Sequence, residues 1–186
     1  MTKCNQSSFF FVPCFRREVI ARFDAGPVSS DGGALLLREV AHKTDLLPRL
    51  AACFTDGRDP DRIEHTVEQL ISQRVYARAL GYEDRNDHDT LRYDPLLSLL
   101  AGQQEPGRPA RAGQSTLNRL ELTPPLADVQ AQRYKRIRFD PHAADRLLLE
   151  LFVEAHASPP EEIGLDLDAT DDPLPGRQEG RFFHGY

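Results

Sequence analysis

The sequence predicts a mainly helical N-terminal region that leads into a strand-forming C-terminal segment. Helix starts are marked by three Asp-Pro pairs, because aspartate caps the free amides of a first turn and proline suits the first helical position. The pairs are Asp59-Pro60, Asp94-Pro95 and Asp140-Pro141. From Ile163 onward, apolar residues instead alternate with small or acidic ones, which is the period of a strand.

Composition sets limits on the class of protein. With 186 residues, of which 40% are hydrophobic, the chain can bury a substantial core. A net charge of -6 excludes a uniformly basic nucleic-acid coat, although all but three of the 23 cations are arginines, which bind phosphate bidentately. Its three cysteines lack CxxC spacing, and no signal peptide or membrane span is evident. We therefore expect a cytoplasmic protein with reduced thiols and no membrane partner.

Charge divides the chain into three expected regions. Residues 1–100 should form the mostly helical region, and residues 101–138 a basic linker or insert with seven cations and three acids. Residues 139–186 carry three cations and eleven acids and contain the predicted strand. The basic middle is suited to contacting a phosphate backbone, although a charged run is also typical of a solvated face. Its candidate DNA-contacting residues are Arg108, Arg111, Arg133, Lys135 and Arg136.

In the first half of the chain, residues 9–24 predict a short strand. Two short helices follow, each with an apolar stripe. The stripes are Leu36, Leu37 and Val40, then Leu46, Leu47 and Leu50. The helix that starts after Pro60 has apolar residues at helical spacing as far as Leu80, where Gly81 provides a natural stop.

A polar segment, residues 81–94, is predicted to connect two helices. It clusters Asp84, Asp87, His88 and Asp89, which raises the question of a metal site. A solvated connection between helices accounts for the same residues without a metal, and we favour that interpretation.

The second half begins with residues 101–114, which are rich in Gly, Pro, Gln and Arg and predict a linker or exposed loop. Residues 115–121 predict a short helix. Alternation in the basic run that follows predicts that Arg133 and Lys135 lie at a surface. After Pro141, apolar residues at helical spacing predict a core-facing helix.

Acidic residues cluster where the C-terminal strand gives way to a Pro/Gly turn. Asp166 and Asp168 lie on one face of the strand, about 7 Å apart, so their mutual repulsion calls for a cation. An EF-hand loop is excluded, because Asp171 and Arg177 occupy the positions that require Gly and Glu. Oxygen ligands alone favour Mg²⁺ or Mn²⁺, whereas a half-buried edge strand would show the same alternation without any metal.

The string LDLDATDDPLPGRQEGRFFHGY, from Leu165 to Tyr186, resembles the first-aspartate segment of group 1 DDE transposases of bacterial insertion sequences. Three earlier segments resemble the same family in the same order. They are SSDGGALLLREVA, ALGYEDRNDHDTLRYDPLL and GQSTLNRLE. The resemblance covers nearly the whole chain, with a departure at Pro175, where the family pattern leads us to expect a histidine.

The resemblance implies that Asp168 matches the first of three catalytic carboxylates, which hold two divalent metal ions on a ribonuclease H-like fold for DNA strand cleavage and joining. Residues 139–186 are then expected to start a ribonuclease H-like catalytic domain. That domain should be incomplete here, because the family's second aspartate and its glutamate would lie beyond Tyr186. The isolated chain is therefore expected to be inactive.

Two classes of function remain open at the level of sequence. The first is the N-terminal part of a DDE transposase, with transposon-end DNA as partner, Mg²⁺ or Mn²⁺ as cofactor and a homodimer as a candidate assembly. The second is a helical DNA-binding or assembly module without chemistry of its own. Metal dependence separates the two, because the binding module predicts DNA affinity that depends on salt but not on a divalent ion.

Overall fold

The computed structural model describes residues 8–22, 31–102, 111–124 and 135–164. The chain starts with an antiparallel hairpin of two strands, β1 (Ser8–Cys14) and β2 (Arg17–Arg22). Sequence predicted one strand here, because the turn contains neither Gly nor Pro. Phe15 instead adopts a φ of 55°, a conformation rare for a bulky side chain, and so closes the turn.

Seven α-helices and a second pair of strands follow in the described part. The helices are α1 (Ala34–Lys43), α2 (Leu46–Ala52), α3 (Val67–Ala79), α4 (His88–Leu91), α5 (Pro95–Leu100), α6 (Gln114–Glu121) and α7 (Pro141–Glu154). The strands are β3 (Phe54–Asp56) and β4 (Ile137–Phe139), which pair antiparallel. The described part is thus mainly helical, as predicted.

Helix α3 lies at the centre of the fold and packs against α1, α2, α5 and α6. Leu70 and Ala77 on α3 and Leu117 on α6 are buried almost completely. The core continues into the hairpin through Cys14 and Val19. Four of the helices pack directly against α3, so tertiary packing supplies most of the stability that such short helices lack alone.

The start of α3 differs from the prediction, while its end agrees with it. Pro60–Arg62 forms only a 3₁₀ turn, and the α-helix begins after Thr66, whose hydroxyl accepts a hydrogen bond from the amide of Gln69. The amide of Thr66 donates in return to the side-chain Oε1 of Gln69, which completes a capping box, so this local pair overrides the Asp-Pro signal. At the other end, Gly81 has a φ of 90° and closes the helix as predicted.

The other two Asp-Pro pairs start helices as predicted. Asp94 accepts a hydrogen bond from the amide of Leu97, at 2.7 Å, and starts α5. Asp140 accepts one from the amide of Ala143, at 3.1 Å, and starts α7. Each aspartate satisfies an amide that has no partner within its helix.

The faces of α1 and α7 depart from the apolar stripes of the sequence. On α1, Leu36, Leu37 and Val40 are exposed, and the buried set includes Arg38 instead. Arg38 is accommodated because its guanidinium donates to the carbonyls of Val12 and Pro13 in β1. Leu147 is the buried residue of α7, while Leu148, Leu149, Phe152 and Val153 are exposed, so the prediction that α7 faces the core holds for one edge of the helix.

Two further features bear on the class of protein. Within the described part, no helix has the length and apolar character needed to cross a membrane. Cys14 and Cys53 are both buried, and Cys53 carries a free thiol. Burial raises the pKa of the Cys53 thiol, which keeps it protonated and unreactive near neutral pH.

Candidate functional site

The two predicted metal-binding acids, Asp166 and Asp168, lie outside the described residues, as do the predicted DNA contacts Arg108 and Arg133. The remaining predicted contacts, Arg111, Lys135 and Arg136, are described. The structure does not bring these three to one surface.

Arg111 is buried, with 5% of its surface exposed. Its guanidinium donates to the carbonyl of Ser98 at 2.6 Å, and its backbone amide donates to the carbonyl of Arg92 at 3.1 Å. Burial lowers the pKa of Arg111 to about 10. Its neighbours Ala112 and Gly113 are also buried, so the predicted exposed loop does not include residues 111–113. In the described conformation, Arg111 joins the start of α6 to α5.

Lys135 and Arg136 are both exposed and directly precede β4. The amine of Lys135 donates to the carbonyl of Leu122, just after the last residue of α6. A cation at this position is favourable, because the carbonyls at a helix C-terminus carry partial negative charge. The backbone of Arg136 accepts a hydrogen bond from the amide of Gly57, at 2.8 Å, while its guanidinium forms no ion pair within the described part.

Arg138 lies on β4 beside this pair and was not among the predicted contacts. It is half-buried, and its guanidinium has no ion pair among the described residues. Alternation along the strand places Arg138 on the same face as Arg136 and on the opposite face from the buried Ile137. In the sequence, the apolar Ile137 lies between Arg136 and Arg138. This alternation is the signal that could have identified Arg138 as a surface cation.

In the acidic segment between α3 and α5, aspartate side chains accept hydrogen bonds from backbone amides. Asp84 accepts from the amide of Asn86 at 2.9 Å, and Asp89 accepts from the amide of Gln114 at 3.0 Å. His88 is completely buried against α3, which the interpretation of this segment as a solvated connection missed. In the described ranges, no three residues among His, Cys, Asp and Glu are grouped closely enough to hold a metal ion.

Comparison with protein families identifies the class of protein. The family model described as transposase DDE domain group 1 matches residues 11–186. The chain therefore belongs to the group 1 DDE transposases, as the sequence motifs indicated. No curated protein and no solved structure gives a significant match. Membership of this family gives the chain a role in transposition, a process that acts on DNA.

Proposed function

We propose that this chain binds transposon DNA and supplies Asp168 as the first metal-binding carboxylate of the DDE reaction, with Asp166 beside it. The observation that carries the proposal is the family match, because it extends through the acidic segment to residue 186. The chemistry would be DNA strand cleavage and transfer on a ribonuclease H-like fold that starts within residues 139–186.

The donor chemistry of this segment fits the metal ion that the family implies. Asp166 and Asp168 offer carboxylate oxygens only, which suit Mg²⁺ or Mn²⁺ better than zinc. Asp166 and Asp168 would hold such an ion, which would supply Lewis-acid polarisation of a phosphoryl group. The role of Asp168 is to hold the ion and to neutralise part of its charge, and Asp166, two residues earlier in the sequence, supports it.

Binding to the DNA backbone is assigned to the basic middle of the chain. Lys135 and Arg136 supply exposed cations for it, and Arg108 and Arg133 add two more in segments outside the described residues. Arg111 belongs to the same basic set, but its buried contact with Ser98 makes its contribution indirect. Each phosphate that a cation neutralises releases counterions, so affinity should fall as salt rises, with a log-log slope of about -0.9 per contact.

The test compares Asp168→Asn with Asp166→Asn in a chain extended by a segment that carries the family's other two carboxylates. Asp168→Asn should abolish 3′-end cleavage of transposon-end DNA in Mg²⁺ or Mn²⁺, with DNA affinity nearly unchanged. Asp166→Asn should reduce cleavage less, and Asp171→Asn serves as a matched acidic control. Cleavage that survives Asp168→Asn but is lost with Asp166→Asn would show that the wrong acid has been assigned.

The same experiment distinguishes the second class of function. Salt-sensitive DNA binding that is indifferent to divalent ions, with no cleavage even in the extended chain, would identify a non-catalytic DNA-binding or assembly module. The comparison requires affinity to be measured both in Mg²⁺ and in a chelator.

A further inference from the structure

We infer that DNA is held by the outer face of the β3–β4 ribbon, through Arg138 together with Arg136. This inference rests on the proposed DNA-binding function and names the surface that performs it. The outer face is defined by Thr55 and Gly57 on the β3 side and by Arg136 and Arg138 on the β4 side.

The register of the ribbon separates its two faces. Phe54 pairs with Phe139, Thr55 with Arg138, and Asp56 with Ile137. The hydrogen bond from Gly57 to the carbonyl of Arg136 continues the same register by one step. Because side chains alternate across a strand and directly opposed residues share a face, these pairs fall alternately on the two sides of the ribbon.

The inner face packs through its aromatic and aliphatic residues, while its Asp56 and Lys135 are exposed. The rings of Phe54 and Phe139 lie 4.8 Å apart between their centroids, and Ile137 is buried. Thr55 and Arg136, by contrast, are exposed, and Arg138 is half-buried. The ribbon therefore turns its arginines away from the core.

The charge of the outer face is not compensated within the described part. The acid of β3, Asp56, lies on the inner face, where Arg58 binds both of its carboxylate oxygens at 2.9 and 2.7 Å. The next acid along the chain, Asp140, is engaged as the N-cap of α7. Neither Arg136 nor Arg138 forms an ion pair with a described carboxylate. As far as the described carboxylates go, both guanidiniums can accept an external anion as partner.

The geometry of the outer face suits the phosphodiester backbone of DNA. Residues two apart on a strand are separated by about 7 Å, and each strand of duplex DNA carries one charge per about 3.4 Å of helix axis, so both arginines can lie along one stretch of backbone. Gly57 places no side chain beside Arg136, and the hydroxyl of Thr55 opposite Arg138 can donate to a phosphate oxygen. These contacts read no bases, so we expect binding that is independent of sequence.

Lys135 provides an internal comparison. Alternation places it on the inner side with Ile137, and its amine is already bound to the carbonyl of Leu122. It carries the same charge as its neighbour but faces α6. Loss of Lys135 should therefore affect DNA binding less than loss of Arg136 or Arg138.

The experiment measures the affinity of the 186-residue chain for a transposon-end duplex and for a scrambled duplex by fluorescence anisotropy over a range of salt. Arg136→Gln/Arg138→Gln should weaken both complexes alike and reduce the log-log slope by about 1.8, while Arg138→Gln alone should reduce it by about 0.9. At about 0.1 M salt, each lost contact corresponds to roughly eightfold weaker binding. Arg78→Gln is the charge-matched control, because it removes an exposed cation that pairs with Glu121 on α6. Lys135→Gln is the graded comparison and should reduce the slope less than Arg138→Gln.

A second variant keeps the test decisive if the arginine substitutions unfold the chain. Thr55→Glu leaves both arginines in place but puts a carboxylate opposite Arg138, and it should weaken binding as well. The wild type could bind DNA with a salt dependence that neither the arginine substitutions nor Thr55→Glu change. That result would overturn the assignment of the outer face while leaving the proposed function intact. A wild-type chain without salt-dependent DNA binding would contradict both.

Discussion

The Nε2 atom of Gln73 on α3 lies 3.0 Å from the Nδ1 atom of His88 on α4, with both side chains buried. The same Nε2 donates to the carbonyl of Ala112 at 2.8 Å, which orients the amide so that it donates to the imidazole as well. A guanidinium nitrogen of Arg74 lies 3.4 Å from the other ring nitrogen. A neutral His88 can accept from one of these two donors, whereas a protonated His88 would point an N–H at each of them, so the neutral form fits better.

This arrangement predicts that the chain loses stability as pH falls. Burial, and then the charge of Arg74, lower the pKa of His88 from its ordinary value of 6.5. The unfolded chain therefore binds the proton more readily, so stability is fully present above about pH 6.5 and is lost as pH falls below it. Urea midpoints at about pH 7.5 and about pH 5.5 should differ in the wild type and differ less in His88→Gln.

Two other histidines bear on the comparison between the wild type and His88→Gln. His65 also has a pKa lowered by burial, so part of the acid sensitivity should remain in His88→Gln. His142→Gln, which replaces an exposed histidine at the start of α7, is the matched control for the loss of an imidazole. An identical loss of stability on acidification in wild type and His88→Gln would show that His88 does not carry it.

A second prediction concerns Glu121, which accepts a hydrogen bond from the Nε of Arg74 and also pairs with Arg85. Arg74 is 7% exposed, so Glu121→Gln leaves a buried guanidinium without its carboxylate. We expect a loss of about 2 to 4 kcal/mol in the free energy of unfolding, measured by urea denaturation. Glu161→Gln, at an exposed site, is the control. Replacing both partners with Arg74→Met/Glu121→Leu should cost less than Glu121→Gln alone, and a larger loss in the double variant would contradict this account.

The capping box of α3 gives a third prediction. Thr66→Ala removes the oxygen that accepts from Gln69 and should lower the free energy of unfolding by about 1 kcal/mol. Ser115→Ala, at an exposed position in the first turn of α6, should change it little. Equal effects of the two substitutions would mean that the hydroxyl of Thr66 is not acting as a cap.

A fourth prediction concerns the attachment of α7 to α2. Arg49 on α2 contacts Glu154 at 2.6 Å and Glu150 at 2.9 Å, and few side chains of α7 are buried. Arg49→Gln should therefore accelerate hydrogen exchange of the α7 amides while leaving α3 protected, and high salt should act in the same direction. Arg146→Gln removes an exposed cation of α7 that has no ion pair among the described residues, and it should leave exchange unchanged. Uniform protection of α7 in all three proteins would show that apolar contacts alone hold it.

The sequence was enough to predict an acidic and a basic segment, but not the face of the β3–β4 ribbon that we propose for DNA binding. Composition was enough to locate the arginine-rich region, because charge is a property of the residues themselves. Whether a given cation is available to DNA depends on partners far along the chain. Arg111 donates a hydrogen bond to the carbonyl of Ser98, and Lys135 donates one to the carbonyl of Leu122. The register of β4 with β3, by contrast, places Arg138 on the outer face of the ribbon.

The sequence by itself determined those features that depend on residues within about four positions of each other. Asp94 and Asp140 cap their helices, and Gly81 ends α3, because each satisfies a backbone group one turn away. Only the tertiary structure decided which face of each helix is buried. Arg38 lies inside because carbonyls of β1 are there to accept its hydrogen bonds, and His88 lies inside because Gln73 and Arg74 surround it. A polar side chain can be buried only where distant elements supply its partners, and those partners are not encoded in the local pattern.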